Sequence, residues 1–190
     1  SSRIKSVYFL NQDIGWVAGN GIIMYTENGG SSWQEQYTTS ADLRDIQFVD
    51  LSNGWALSSS MILNTQDGGA SWTVQDTSMS GLKRFWFTDM DNGWAIGAGE
   101  DFLGQIFYTN DGGNSWTEYI QEMNKSFNGI CFASQDNGWI VGQYGVILST
   151  VNGGNQWDMY FDGMTEQINS IDFIDDNNGW AVGNWGNILH

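Results

Sequence analysis

The six basic residues of this 190-residue chain are its first candidates for binding chemistry, because all of them share one position in a repeating pattern. Each lies three to seven residues before a recurring phenylalanine. The basic residues are Arg3, Lys5, Arg44, Lys83, Arg84 and Lys125, and the phenylalanines are Phe9, Phe48, Phe87, Phe132 and Phe173. Clustered Arg and Lys side chains bind carboxylate, sulfate or phosphate, so a fold that gathers the repeats would create an anion site.

Three of these cations stand at equivalent positions in the first three repeats. They are Lys5, Arg44 and Lys83, with Arg84 beside Lys83, and the fourth and fifth repeats carry Asn128 and Asn169 there. We interpret Lys5, Arg44, Lys83 and Arg84 as ligand-binding residues. The alternative interpretation is that the bases only neutralise nearby acidic loops, which carry Asp42, Asp45, Asp76 and Glu122.

Catalytic residues are hard to find in this chain. The one histidine, His190, is the last residue, so no base is placed to activate a Ser or Cys nucleophile. The one cysteine, Cys131, excludes an internal disulfide and is expected to be a buried, inert thiol. The 22 acidic residues single out no pair for glycoside hydrolysis, which stays open as an activity. We therefore expect no enzyme, no cofactor and no metal.

Composition excludes two classes of partner. The net charge of -16 repels phosphate backbones and anionic lipids, which argues against nucleic-acid binding. No apolar run approaches the roughly 18 residues of a membrane-spanning helix, which argues against membrane insertion. An apolar content of 41% is sufficient for the packed core of a single domain over residues 1–190.

Two series of tryptophans show the period of the repeat. The first is Trp16, Trp55, Trp94, Trp139 and Trp180, and the second is Trp33, Trp72, Trp116 and Trp157. A period of about 40 residues built from short strands is typical of propeller blades. The repeats cover about residues 4–42, 43–81, 82–126, 127–167 and 168–190.

Each repeat predicts four antiparallel strands, and the resulting fold is an all-β propeller. Alternating apolar residues end at the phenylalanine, a second strand starts at Gly-Trp, a third follows a glycine loop, and a fourth starts at the second tryptophan. The fifth repeat contains only three of the four. We expect five blades with a three-stranded last blade; the alternative is an arc of a larger propeller, which could self-associate through its incomplete last blade. In either case the basic residues share one rim.

The turn before the second tryptophan is the most specific motif, with the pattern Thr-x-Asp/Asn-x-Gly-x-x-Trp. Its expected structural residues are Asn28, Trp33, Asp67, Trp72, Asp111, Trp116, Asn152 and Trp157. The short polar side chain can bond backbone N–H groups of the turn. One or two carboxylates per turn are too few ligands for tight calcium binding.

This turn resembles the Asp-box, or bacterial neuraminidase repeat, of sialidases, sortilin-type receptors and several glycosidase propellers. Together with segments such as Gly-Trp-Ala-Val-Gly at residues 179–183, the repeat is similar to the photosystem II stability/assembly factor-like family over about residues 4–190. The resemblance implies a β-propeller with structural Asp-boxes. It also implies a non-catalytic binding or assembly module that binds a protein segment or an anionic ligand at the channel mouth.

The alternative from the same resemblance is a carbohydrate-binding propeller or a glycosidase-like or sialidase-like propeller. Tyr144 and Trp185, at matching rim positions, together with Trp86, would then stack on sugar rings, and Phe102 lies in an insertion on that rim. Three arginines match the number that sialidases use, but the proline of the sialidase Arg-Ile-Pro signature is missing after Ile4. Because such repeats are common in secreted and envelope proteins, we expect an extracellular or periplasmic location.

Overall fold

The computed structural model describes residues 3–75, 79–99, 103–119, 124–160 and 166–190, which form five antiparallel sheets. The strands are β1 Ile4–Phe9, β2 Gly15–Thr26, β3 Gln34–Asp42, β4 Asp45–Phe48, β5 Gly54–Leu57, β6 Ile62–Thr65, β7 Thr73–Val74, β8 Leu82–Phe87, β9 Gly93–Ala98, β10 Gly104–Thr109, β11 Thr117–Tyr119, β12 Phe127–Phe132, β13 Gly138–Gly142, β14 Ile147–Thr150, β15 Asp158–Tyr160, β16 Ile168–Asp175, β17 Asn178–Gly183 and β18 Ile188–Leu189. Short 3-10 turns at Gln143–Gly145 and Asn184–Gly186 precede β14 and β18. The described residues include no helical segment with the length and apolar character needed to span a bilayer.

The order of strands within each sheet follows the chain. The sheets are β1-β2-β3, β4-β5-β6-β7, β8-β9-β10-β11, β12-β13-β14-β15 and β16-β17-β18. The predicted all-β architecture of five sheets, with three strands in the last, is confirmed. The strand that ends at the recurring phenylalanine comes first in every sheet, and neighbouring first strands contact one another from sheet to sheet.

The first sheet contains the same four segments, although β2 is continuous. The rings of Trp16 and Tyr25, near the two ends of β2, lie only 5.4 Å apart. In an extended strand these residues would be separated by roughly 30 Å. The strand therefore folds back on itself near Gly21, whose positive φ of 74° suits a tight reversal.

Stacked aromatic rings join neighbouring sheets at three of the four boundaries among the described residues, and at the third-to-fourth boundary Trp94 meets Trp157 edge-on, with ring centroids 5.6 Å apart. The tryptophan of one sheet lies flat on the phenylalanine of the next, with ring centroids 3.5 Å apart for Trp16 and Phe48 and 3.7 Å apart for Trp55 and Phe87. A glycine must precede the second sheet's own tryptophan, because a Cβ at Gly54 would lie 2.6 Å from the Phe48 ring. The recurring Gly-Trp pair is thus a requirement of sheet packing.

The two end sheets lack this partner. Phe9 of the first sheet is 40% exposed, and Trp180 of the last sheet is 43% exposed. Among the described residues no ring contact joins them, and β1 and β16 do not pack together as neighbouring first strands do. Of the two arrangements expected from the sequence, these end faces fit an arc rather than a closed five-bladed ring.

Substitution of two equivalent tryptophans should measure this difference. Trp55→Ala removes a fully buried, stacked ring and should lower the free energy of unfolding by about 3–5 kcal/mol. Trp180→Ala removes a half-exposed ring and should lower it by no more than about 1–2 kcal/mol. Urea denaturation measures both free energies of unfolding. Equal losses in the two variants would contradict the arc arrangement of the sheets.

Candidate functional site

A concave cavity of about 460 Å³ lies where the first strands of the five sheets begin. Its lining residues are Lys5, Arg44, Lys83, Arg84, Asn128, Gln167 and Asn169. All five sheets contribute, so the structure brings together the four predicted cations and the two asparagines that stand at the equivalent positions of the fourth and fifth repeats. Of the other basic residues, neither Arg3 nor Lys125 lines the cavity.

A β-bulge positions four of these side chains. The pairing of the first two strands of a sheet shifts by one residue at Lys5, Lys83, Asn128 and Asn169, so each of these residues is the extra, unpaired one. A bulge bends the strand and redirects the side chain of the extra residue. The bulges therefore present equivalent side chains at the start of four of the five inner strands.

The second strand of each of these sheets, which pairs with the bulged first strand, carries a glycine that the bulge requires. A Cβ at Gly142, opposite Phe127, would lie 2.2 Å from the carbonyl oxygen of Ser126. The second sheet has the buried Ser58 at the corresponding position, and the pairing of β4 with β5 shows no shift. Its cation, Arg44, lies just before the strand instead of within a bulge.

The two arginines of the cavity are oriented by backbone carbonyls. Arg44 Nη1 donates to the carbonyl oxygen of Leu82 at 3.0 Å, and Arg84 Nη1 donates to that of Lys83 at 2.8 Å. Each guanidinium has five N–H donors, so further donors remain for a ligand. A carbonyl oxygen carries no net charge and leaves the positive charge of the arginine in place.

Lys83 is held at the centre of the group by neutral atoms. Its Nζ donates to Ser126 Oγ at 2.9 Å and to Asn128 Oδ1 at 2.8 Å. Burial lowers the pKa of Lys83, and the nearby positive charges of Arg44 and Arg84 lower it further. Three cations therefore repel one another here, and a bound anion would relieve that repulsion.

Lys5 differs from the other three cations because it has an acidic partner. Its Nζ forms an ion pair with Asp42 at the end of β3. The positive charge of the cavity is therefore concentrated on Arg44, Lys83 and Arg84. The neutralising role considered from the sequence applies to Lys5 and in part to Arg84, whose positive charge attracts the carboxyl group of Asp45.

Asp45 lies behind the cations and links three sheets. Its carboxylate accepts hydrogen bonds from the Ser6 hydroxyl at 3.0 Å and from the Phe85 N–H at 3.3 Å. Burial raises the pKa of Asp45 to about 6, although Arg84 and these hydrogen bonds act in the opposite direction. The sequence indicated Asp45 only as one of the acidic residues that the bases could neutralise, and not as a link between sheets.

The rest of the cavity wall is built from amides. Asn128 Nδ2 donates to the Ile168 carbonyl at 2.9 Å, and Gln167 Nε2 donates to Asn169 Oδ1 at 2.8 Å. Asn169 Nδ2 in turn donates to Asn184 Oδ1 at 2.9 Å. Cations thus line the side formed by the first three sheets, and neutral amides line the other. Gln167 was missed because it precedes the aligned position by two residues.

The predicted aromatic residues do not join the cations. Tyr144 and Trp185 occupy the 3-10 turns, with positive φ angles of 54° and 61° and exposures of 59% and 90%. Neither residue lines the cavity, although the preceding residue, Asn184, contacts its wall. Trp86 lines a different cavity, of about 380 Å³, with Tyr8 and Gln47. Phe102 lies outside the described residues.

The Asp-boxes use their side-chain oxygens within the turn. In the second box, Asp67 Oδ1 accepts from the Thr65 hydroxyl and the Ser71 N–H, both at 2.8 Å. In the first box, Asn28 Oδ1 accepts from Thr26 and Ser32 in the same way. One acceptor oxygen is sufficient for both bonds, which explains why Asn can replace Asp.

Other reactive groups have no partner for catalysis in the described part of the chain. Cys131 is buried, and burial, with a smaller effect of Asp172, raises the pKa of its thiol to about 12. Such a thiol is not a nucleophile at neutral pH. Within the described ranges, no cluster of three or more His, Cys, Asp and Glu residues is placed to hold a metal ion.

The pKa of Asp45 predicts a specific pH dependence. The folded state binds the Asp45 proton more tightly than the unfolded chain, so wild-type stability from this group is lost as pH rises from about 4 to about 6. The Asp45→Asn variant has no carboxyl group to titrate at this position. As pH rises through this range, its free energy of unfolding should therefore increase relative to that of the wild type by up to about 1.4 kcal/mol per pH unit. Urea denaturation of both proteins at several pH values measures the difference. A constant difference across the range would contradict the raised pKa.

Comparison with solved structures finds the same fold in known propellers. A structure of YCF48 bound to a D1 peptide is 16% identical, with 98% of this chain and 92% of that chain covered and a TM-score of 0.57. YCF48 from Cyanidioschyzon merolae is 18% identical, with 98% and 66% covered and a TM-score of 0.74. An ancestral GH74 enzyme is 12% identical, with 98% and 31% covered and a TM-score of 0.75. At these identities the likeness concerns the fold alone.

Sequence comparison is more specific. No curated protein sequence matches the chain significantly. The family profile described as photosynthesis system II assembly factor YCF48 matches residues 34–120 and 82–162, which together extend over more than half of the chain. The chain therefore belongs to the YCF48 assembly factor family.

Proposed function

We propose that this protein is a non-catalytic binding module that holds an anionic segment of a partner protein in the basic cavity. The observation that carries the proposal is the convergence of Arg44, Lys83 and Arg84 on one concave mouth, where neutral atoms orient them. Folded proteins seldom hold like charges together without a compensating interaction, and a bound carboxylate would supply one.

The overall charge of the protein does not prevent this binding. Although the net charge is -16, exposed acidic residues more than about 10 Å from the cavity are largely screened at 0.1 M salt. The three cations lie within the concavity, and a ligand there would contact them directly. Local charge therefore decides whether an anion binds, and the surrounding acidity selects against strongly charged polyanions such as nucleic acid.

The two halves of the cavity suit two parts of a peptide. Arg44 and Arg84 can each present a planar pair of donors to a carboxylate, from an acidic side chain or a chain terminus. The opposite wall offers the amides of Asn128, Gln167 and Asn169, which can bond peptide N–H and C=O groups. A volume of about 460 Å³ accommodates a few side chains. The family member whose structure is described with a bound D1 peptide supports a peptide ligand.

The chemistry of the chain favours binding over catalysis. The lone histidine packs against Trp180, with ring centroids 4.9 Å apart, in a cleft that shares no lining residue with the cavity. The lone thiol is buried with its pKa raised to about 12. Within the cavity lining there is no carboxylate pair of the kind glycoside hydrolysis needs.

A short acidic peptide tests the proposal. We expect binding at low salt of a peptide that contains Glu and Asp, with much weaker binding of the same peptide carrying Gln and Asn. The double variant Arg44→Ala with Lys83→Ala should weaken binding at least about tenfold, since it removes two charge-assisted contacts. Isothermal titration calorimetry at two salt concentrations measures the affinity, which should fall as salt rises.

A second double variant controls for total charge. The double variant Arg3→Ala with Lys125→Ala also removes two positive charges, but from residues that do not line the cavity. It should leave the affinity for the acidic peptide nearly unchanged. Equal weakening by both double variants would show that only net charge matters and would overturn the proposal. The carbohydrate alternative would be favoured if the protein bound no acidic peptide but bound glycans on an array, and if Trp185→Ala abolished that glycan binding.

A further inference from the structure

A glutamine side chain bridges the outer side of the first two boundaries between sheets. It lies three residues after the Asp-box tryptophan, and its Nε2 donates to a glycine carbonyl of the next Asp-box: Gln36 to Gly68 at 3.0 Å and Gln75 to Gly112 at 3.1 Å. The amide also packs closely on the following glycine, because a Cβ at Gly69 would lie 2.2 Å from Gln36 Oε1. The glutamine therefore ties the outer side of each sheet to the sheet that follows.

The third boundary is built differently. Tyr119 stands at the position of this glutamine, and the ring of Trp94 lies against the next Asp-box instead, since a Cβ at Gly154 would lie 2.1 Å from Trp94 Cζ2. Trp94 also contacts Tyr108 and Tyr119, with ring centroids 5.4 Å and 6.3 Å apart. A group of three aromatic rings thus replaces the glutamine bridge at this boundary.

A cavity of about 550 Å³ opens beside these rings, between the third and fourth sheets. All three rings line it, and Tyr108 is 36% exposed. The other lining residues are polar residues and two glycines from both sheets, among them Asn110 in the third sheet and Asp136 and Asn155 in the fourth. No Lys, Arg or His belongs to the described lining. The cavity therefore combines aromatic rings with amides and carboxylates, without a positive charge.

The equivalent place one repeat earlier has a cavity of similar size and different character. Its volume is about 510 Å³, and it contains Asn64 and Gln75 where the third sheet has Tyr108 and Tyr119. Its described lining residues include no aromatic side chain. The two tyrosines are therefore not a requirement of the repeat, and they distinguish the later cavity from its counterpart.

We propose that the cavity between the third and fourth sheets binds a neutral carbohydrate of one or two sugar rings. The C–H face of a sugar ring packs on the exposed ring of Tyr108, and the sugar hydroxyls bond the surrounding amides and carboxylates. Trp94 packs against Tyr108 and limits the motion of this platform. The volume of the cavity lies within the range of small-ligand sites.

The charges and hydrogen-bonding groups of the cavity favour a neutral ligand. Asp89 and Asp136 both line it and repel an anionic sugar. The same carboxylates attract a basic side chain, but ammonium and guanidinium groups have no acceptor for the amide N–H groups of residues such as Asn110. A hydroxyl both donates and accepts, so it satisfies both kinds of group. This cavity shares no lining residue with the basic cavity, so this proposal and the proposed function can fail independently.

A panel of small sugars tests the proposal. It contains the methyl glycosides of glucose, galactose and mannose, the disaccharides maltose, cellobiose and lactose, and the three uronic acids that correspond to the monosaccharides. We expect at least one neutral sugar to bind the 15N-labelled protein with a dissociation constant of about 10 mM or below, with amide shifts around Asn110 and Asp136. The corresponding uronic acid should bind at least about threefold more weakly, because the carboxylates of the cavity repel it.

Tyr108 provides a matched pair of variants. Tyr108→Asn introduces the residue that the second sheet has at this position, and it should weaken sugar binding at least about tenfold because it removes the stacking ring. Tyr108→Phe keeps the ring and should change binding less than about threefold. Tyr119→Gln, which also introduces the residue of the second sheet, should weaken binding as well and tests the cavity from a neighbouring strand if Tyr108→Asn disturbs β10.

Four results would overturn the proposal. The first two are the absence of binding of any neutral sugar below about 10 mM and equal affinities of the Tyr108→Asn and Tyr108→Phe variants. The third is tighter binding of a peptide of Lys and Arg than of any sugar, with shifts at the same amides, which would assign the cavity to a basic partner segment. The fourth is loss of sugar binding in Trp185→Ala, which would place the sugar on the rim that carries Trp185.

Discussion

The packing of one sheet's tryptophan against an aromatic ring of the next sheet is the interaction on which this structure depends, and at three of the four boundaries it is a flat stack on the recurring phenylalanine. Ring centroids 3.5 to 3.7 Å apart leave room for nothing larger than a hydrogen on the residue before the neighbouring tryptophan. Each stack joins a tryptophan on one sheet to a phenylalanine on the next, so it forms only when both sheets are present. A repeat is therefore stable only beside another repeat, as expected for architectures built from stacked units.

The same repeat positions the candidate site through a second glycine. A glycine near the end of the second strand of a sheet, such as Gly19 or Gly97, lets the first strand of that sheet approach closely and form a bulge. The bulged residue lines the cavity. Where Ser58 replaces that glycine, the bulge is missing and Arg44 reaches the cavity from the preceding segment. The glycines serve the packing of the sheets, and the bulged residues, which differ from sheet to sheet, line the cavity that we propose as the binding site.

The electrostatics of the cavity oppose stability in the free protein. The lowered pKa of Lys83 and the raised pKa of Asp45 both mean that the charged form is less favourable in the folded state than in water. By contrast, the exposed Asp-box carboxylate of Asp67 has a lowered pKa, because hydrogen bonds from Ser71 stabilise its charged form. Hydrogen bonds in the turns thus stabilise the charged form of Asp67, whereas burial disfavours the charged forms of Lys83 and Asp45 beside the cavity.

The sequence by itself determined the repeats, the strands and the structural role of the Asp-boxes, because these depend on local patterns: alternating apolar residues, turn residues and the spacing of tryptophans. It also placed the cations at the start of the inner strands. Only the tertiary structure showed the bulges, the part played by Asp45 and Gln167, and the separation of Tyr144 and Trp185 from the cavity. These features depend on contacts between residues about 40 positions apart, and a pattern along the chain does not state which side chains meet across neighbouring sheets.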